Sequence, residues 1–330
     1  MAVTTAGTPP GRRQQTLARR EAMTGYLFIA PYLIIATIFT FALLAYALYL
    51  SFTDLKASYQ ANPPQFVGIQ NYARAFTDRT FILSLQNVFW YFVIVTLFQT
   101  VGSLLVAILL NSKLRGMNFY RTMIYSPSVA SSVVMALIFN WLFLRTGFIN
   151  YVLGSNISWL ATPNRIFDSL ISLFGGDPRN VAPLLRGPSV AWLAIMSMNI
   201  FTTIPTFMLM FLAALQDISP SVYEAAEIDG ATGVRAFFSI TLPLMAPVIA
   251  LVVSLGTIGT FQVFDQVSLL TAGGPLQTTM VPAFYIYQKT LGTATQPEAG
   301  YAAALAFILA IIIVFFTFVQ KRFIEPATEM

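Results

Sequence analysis

The sequence has no cysteine and no histidine, and only 9% of its 330 residues are charged. Without cysteine the chain forms no disulfide, no thiolate metal site and no thiol nucleophile; without histidine it lacks the usual imidazole acid–base group. The absence of cysteine fits either side of a membrane and fixes no compartment. The shortage of charge is more decisive. Soluble globular chains carry about 25% charged residues, so a chain that is 57% hydrophobic has too little polar surface to stay in water. The net charge of +5 does not point to nucleic acid. The basic residues stand singly or in pairs at the ends of apolar runs, where membrane orientation accounts for them.

What is abundant is the apolar run of membrane length. A helix needs about 20 mostly apolar residues to cross the hydrocarbon core, and six segments qualify: residues 26–50, 88–110, 123–144, 189–212, 244–264 and 301–319, none with a Lys, Arg, Asp or Glu. A lipid-facing backbone must satisfy its own hydrogen bonds, so the expected fold is an all-α polytopic membrane protein with six transmembrane helices. The first run is 25 residues long, beyond the about 7–15 of a signal-peptide core, and reads as a retained helix. The expected organisation is a basic flexible tail over 1–22, a transmembrane domain over 23–320 and a second tail over 321–330. With six crossings, Arg12, Arg13, Arg19, Arg20, Lys113, Arg115, Arg121, Arg235, Lys321 and Arg322 share one face, ten basic residues against eight on the other. That bias places both termini in the cytoplasm.

The longest outward connection, 145–188, contains NRIFDSLISLF, whose apolar spacing predicts a short surface helix. The inward loop 215–243 is the most unusual. From Tyr223 it reads YEAAEIDGATGVRAFFSITLPLMAP. Ser219-Pro220 predicts a helix start with a capping hydroxyl, Glu224 and Glu227 suit the early turns, and Gly230 suits a left-handed stop. A second short helix is expected over 234–241, with Pro243 at the start of the next span. Ala225 and Ala226 are small enough for another protein's backbone to approach.

Polar groups inside spans are the candidate solute path. Asn199, Thr202, Thr203 and Thr206 recur at i, i+3, i+4 and i+7, one helix face, and an amide with three hydroxyls suits a neutral polyhydroxylated ligand. In the fifth span Ser254, Thr257 and Thr260 recur with Gly256 and Gly259, followed by Gln262; such spacing serves tight helix packing as readily as a path. Packing also accounts for Ser128, Ser131 and Ser132. Asp265 is the one ionisable group close to a span, where a carboxylate is a functional suspect; a loop-pinning role fits it equally. The chain has no G-x-x-x-x-G-K-[ST] phosphate cradle, so any ATP-driven step needs another polypeptide.

Several strings occur in order: Phe66-Val67-Gly68-Ile69-Gln70-Asn71-Tyr72; Leu109-Leu110-Asn111 with Arg115-Gly116 and Phe119-Tyr120-Arg121; Glu224-Ala225-Ala226, Asp229-Gly230-Ala231 and Ile240-Thr241-Leu242-Pro243; then Val263-Phe264-Asp265, Gly273-Gly274-Pro275 and Gly300-Tyr301-Ala302-Ala303-Ala304. Together they resemble the permeases of binding-protein-dependent ABC importers, in particular the maltose and glycerol-phosphate type, whose EAA loop the Glu224 string matches. The outward loop from 163 to 187 is longer than the resemblance leads one to expect.

The resemblance implies a sugar permease, for a di- or oligosaccharide, in a bacterial or archaeal cytoplasmic membrane. Glu224, Ala225, Ala226, Asp229, Gly230, Ile240, Leu242 and Pro243 would engage a cytoplasmic ATPase. The implied partners are a second homologous permease in a heterodimer, two ATPase copies, an extracytoplasmic sugar-binding protein and membrane lipid. No cofactor or metal is expected on this chain, ATP and Mg2+ being the ATPase's. The rival reading, an ion-coupled secondary transporter, needs ion-coordinating groups near the midplane, which the spans hardly supply.

Overall fold

The computed structural model describes residues 12–56, 63–112, 115–291 and 297–324. The helices in chain order are α1 (Arg12–Ala36), a π-helical turn (Thr37–Ala42) and α2 (Leu43–Ser51); α3 (Gln70–Ala75), α4 (Arg79–Leu110), α5 (Met117–Val129), α6 (Ser132–Leu142), α7 (Phe148–Leu153) and α8 (Asp168–Leu173). Then come α9 (Val190–Asp217), α10 (Pro220–Ile228), α11 (Gly233–Ala236), a π turn (Phe237–Thr241), α12 (Leu242–Leu244), α13 (Ala246–Phe261), α14 (Asp265–Leu270), α15 (Pro282–Thr290) and α16 (Ala299–Ile324). Among the described residues four helices are long and apolar enough to span a membrane, Arg20–Ser51, Arg79–Leu110, Val190–Asp217 and Ala299–Arg322, and two bent pairs bring the number to six if each is one span.

The bent pairs correct the expectation of straight third and fifth spans. The third consists of α5 and α6, set at 94° to one another. Pro127 closes α5, Ala130 and Ser131 are extended, and the Ser131 hydroxyl caps α6 by accepting from the Val133 amide. A proline followed by a capping serine is a stop and a restart, and the apolar composition on both sides concealed it. In the fifth, the chain stays helical from Gly233 through Leu244 and turns by 68° into α13. Pro243 therefore lies inside the loop helix, and the span begins after Met245 with Pro247 in its first turn. The tails also differ. The first helix begins at Arg12 and the last ends at Ile324, so the inner part of each expected tail, 12–22 and 321–324, is helical, while 1–11 and 325–330, with Lys113, lie outside the described residues. The surface helix expected within 164–174 is present as α8.

The pairing of α4 with α9 is the most extensive in the bundle. Two apolar clusters fill it. One, at the end away from the Glu224 loop (the distal end), gathers Phe81, Val88, Tyr91, Trp192, Ile195, Phe261 and Leu305. The other, at the loop end, gathers Ala107, Leu110, Met208, Phe211, Leu215 and Met245. The first span joins the rest mainly through α2 on α16. That junction explains the Phe66–Tyr72 string: the Asn71 carboxamide donates to the Ser51 and Thr53 carbonyls at 2.9 and 2.8 Å, and the Tyr72 hydroxyl meets Ser51 at 2.7 Å. Gly68, at φ +60°, turns the chain for this.

A polar clamp closes the distal end. The Asp78 carboxylate caps α4 by accepting from the Thr80 and Phe81 amides at 2.9 and 3.2 Å. It also accepts from the Tyr285 and Tyr301 hydroxyls at 2.7 and 2.8 Å. Beside it Arg74 is bidentate to Glu298, which also accepts from Lys289. Burial alone would raise the Asp78 pKa, but the two tyrosines and two amides outweigh it and hold the carboxyl below its ordinary value; Arg74, then Lys289, hold Glu298 low against its own burial. Two depressed carboxyls contribute stability above their unfolded values, about pH 4, and lose it as the pH falls through the lower folded values. The melting temperature is therefore expected to drop on acidification below about pH 4. In Asp78→Asn that drop should be smaller, from a lower plateau, which a pH series of thermal melts in detergent would read.

Candidate functional site

The Glu224 loop leaves α9 at Asp217 and returns through α13. Pro220 opens α10 as expected, but the Ser219 hydroxyl does not cap it; it pairs with the Ser221 hydroxyl at 2.8 Å instead. At the other end Gly230 takes φ +75°. Its amide donates to the Glu227 carbonyl at 3.0 Å, and the Ala231 amide to the Ala226 carbonyl at 2.8 Å. These two bonds form the Schellman stop, which needs a left-handed residue. The helix that follows is tied back by the Tyr223 hydroxyl, 3.1 Å from the Thr241 hydroxyl. Thr241 and Ala226 are buried within the chain. The unit is thus a helix, a fixed turn and a second helix, the two helices tied to one another through Tyr223 and Thr241.

Its outer face is open. Glu224, Ala225, Glu227, Asp229, Gly230 and Pro243 are exposed. Ile228 is 88% exposed, Val234 75% and Phe238 62%, a run of large apolar side chains with polar neighbours. Ile240 and Leu242 are half-buried. Ala226, read from the sequence as open to a partner, faces the chain's own interior, so of the alanine pair only Ala225 is available from outside.

The candidate path residues divide. Asn199 is 8% exposed. Thr203 donates to the Gln99 carboxamide oxygen at 3.0 Å, or back to the Asn199 carbonyl at 2.7 Å. Thr202 bonds back to the Met198 and Asn199 carbonyls, and Thr206 alone of the four is exposed. The expected single face is therefore split between interior and surface, Asn199 being buried and Thr203 turned to Gln99 of α4. In α13, Thr260 is 2% exposed and bonded to the Thr257 carbonyl, while Thr257 pairs with Gln320 of α16. Both belong to helix packing. Gln262 and Asp265 are exposed, and Asp265 accepts from the Ser132 hydroxyl at 2.9 Å. Asp265 thus pins the start of α14 to the start of α6, beside the break in the third span.

Sequence reasoning missed Gln99, which is 1% exposed in the middle of α4. The signal was available, since a lone carboxamide within an apolar span needs a partner. It also left the Gly273-Gly274-Pro275 string without a structural role. That turn docks on the distal ends of α4 and α9: the Asn87 carboxamide donates to the Gln277 and Met280 carbonyls, and the Trp192 indole to the Thr278 carbonyl.

Residues 99–328 match the family described as "Binding-protein-dependent transport system inner membrane component". The lactose transport system permease protein LacF of Rhizobium radiobacter is 30% identical over 318 residues, covering 93% of this chain and 96% of that protein. The trehalose/maltose transport system permease protein MalF of Thermococcus litoralis is 31% identical over 308 residues, covering 93% and 95%. Among solved structures, a chain of a bacterial ABC transporter involved in the import of the acidic polysaccharide alginate superposes with a TM-score of 0.73 at 21% identity, covering 96% of this chain and 100% of that one. That last likeness is one of fold.

Proposed function

The chain belongs to the family of binding-protein-dependent transport inner-membrane components, and we propose on that premise that it is a permease subunit of an ATP-driven importer for a di- or oligosaccharide. Membership favours this over the ion-coupled reading. The sugar assignment is supported by the similarity to permeases named for lactose and for trehalose and maltose. The observation that carries the mechanism is the exposed helix–turn–helix between α9 and α13, with its fixed Schellman turn and its uncovered Ile228, Val234 and Phe238.

A rigid unit inserted between two spanning helices is a lever. Force applied to it moves the loop ends of α9 and α13 together, and packed helices pass such motion on as rigid-body displacement rather than deformation. In this reading the loop and both termini are cytoplasmic, and Glu224, Asp229 and Gly230 meet a separate ATPase. Two ATPase copies close on ATP and open the cavity outward, and hydrolysis returns it inward. The cavity is shared with a second, homologous permease, and an extracytoplasmic binding protein delivers the sugar at the distal end. Thr206, Gln262 and Asp265 face away from this chain's own interior and are the path residues such a cavity would use. The first span, whose apolar window has no buried residue, supplies further surface for the second permease or lipid.

The test is to tag this chain, extract it in mild detergent and identify by mass spectrometry what remains bound. A second six-span permease and an ATPase with a phosphate cradle are expected at stoichiometric yield. A homo-oligomer that carries no ATPase would overturn the proposal.

A further inference from the structure

The two apolar clusters of the bundle do not meet. On α4 the buried residues of the distal cluster end at Val95 and those of the loop-end cluster begin at Ala107; on α9 they end at Met198 and begin at Met208. Between them lies a polar layer across four helices: Thr96, Gln99 and Thr100 of α4, Asn199 and Thr203 of α9, Thr257 of α13, and Thr317 and Gln320 of α16. Five buried polar atoms of this layer, Thr96 Oγ1, Gln99 Nε2, Thr100 Oγ1, Asn199 Oδ1 and Thr317 Oγ1, have no hydrogen-bond partner among the described residues. Buried polar groups are paired in the great majority of proteins, and an unpaired one at membrane depth is costly. A layer with so many is one whose bonds are not fixed by a single arrangement.

Gln99 stands at its centre. Its Oε1 accepts from Thr203 of α9, and its Nε2 lies against Gly256 of α13, so close that a Cβ there would collide with it. Those two helices are the ones the Glu224 loop connects. At Gln99 level α9 is also its most pliable: Thr202 and Thr203 both bond back to carbonyls one turn earlier, a habit that bends helices, and Pro205 follows, removing one ladder bond.

We propose that Gln99 is a positioning residue for transport: its carboxamide links α4 to both helices that flank the loop, and exchanges partners as the distal half of the bundle shifts over the loop half. This rests on the reading of the loop as an ATPase lever. The free Nε2 gives the exchange its direction, because a displacement of α13 or α9 that brings an acceptor to this unpaired donor is favoured. Gly256 is what allows the exchange. Any side chain there would occupy the space through which the carboxamide swings.

The chain has no cysteine, so a single introduced thiol reports the motion. Leu269→Cys, exposed on α14 at the distal end, is placed in the copurified complex, and its maleimide labelling rate is compared without nucleotide and with ATP plus vanadate. In the otherwise native chain the rate is expected to change several-fold with nucleotide. In Gln99→Leu, and separately in Thr203→Val, that response should be lost while ATP hydrolysis stays within about twofold and the melting temperature within the range of other core substitutions. The double variant should lose no more than either single one, as residues acting through one contact are not additive. A nucleotide response retained in both single variants would overturn the proposal. So would a joint fall of response, hydrolysis and melting temperature, which marks a merely structural role. If the native complex hydrolyses no ATP, the lever reading itself fails, and this one with it.

Discussion

Glu224→Lys is expected to abolish sugar uptake while leaving the bundle folded. The side chain is exposed and makes no hydrogen bond or ion pair with the described residues, so the fold loses nothing by its reversal. An interface hot spot is worth about 2 kcal/mol or more, roughly thirtyfold in affinity, and a reversed charge adds repulsion to the loss. The ATPase should therefore fail to copurify with the tagged variant, whose melting temperature stays near the native one. Gly230→Pro should give the same phenotype by another route. Proline cannot adopt φ +75° and lacks the amide that bonds the Glu227 carbonyl, so the Schellman turn opens and the lever loses its shape. Gly230→Ala separates shape from contact. No atom lies within 4 Å of its Cβ position, and only the left-handed strain of about 1–2 kcal/mol remains. Partial uptake is expected from it. Full uptake by Glu224→Lys would remove this loop from the ATPase interface.

The second large effect falls on stability rather than on coupling. Gly300, in the first turn of α16, packs so closely on the chain leaving α2 that a Cβ would strike the Thr53 and Leu50 carbonyl oxygens. These are backbone atoms, held in turn by Asn71 and by the turn at Ser51–Thr53, and they cannot rotate aside. Gly300→Ala is expected to destabilise by about 1–3 kcal/mol, as overpacking does, and Gly300→Val by more. The lesion should be local, loosening the first span from α16 and exposing the 50–56 region to proteolysis before the rest. Gly259→Ala is the matched control. It is also a helical glycine in a span, but no atom lies within 4 Å of its Cβ position, so the melting temperature should stay level or rise with helix propensity. Equal effects from the two alanines would mean that backbone proximity at Gly300 is not what sets stability there.

Both expectations separate what one-dimensional patterns carry from what they do not. Six spans were legible because a bilayer imposes a length and an apolarity that any spanning helix must meet, whatever it packs against. The Glu224 loop was legible for a similar reason: Pro220 and Gly230 act on their own backbone, through a preset φ and a tolerated left-handed one, and such effects need no tertiary partner. Its family resemblance was legible because several short strings recur in fixed order.

The bends at Ala130 and Met245 were not, since proline near a span end can either kink a helix or open one, and only the neighbouring helices decide which. Nor was the fate of each hydroxyl. Asn199, Thr203 and Thr206 share a helical spacing, yet Asn199 is buried, Thr203 bonds Gln99 and Thr206 is at the surface. The clamp at Asp78 draws on Arg74, Tyr285, Glu298 and Tyr301, residues more than 200 positions apart in part. The sequence alone determined the six apolar runs of spanning length and the helix–turn–helix between two of them, because those features follow from local chemistry and a uniform solvent. Which polar groups are buried, which face a partner and where the spans break was decided by tertiary structure, because burial is a property of neighbours.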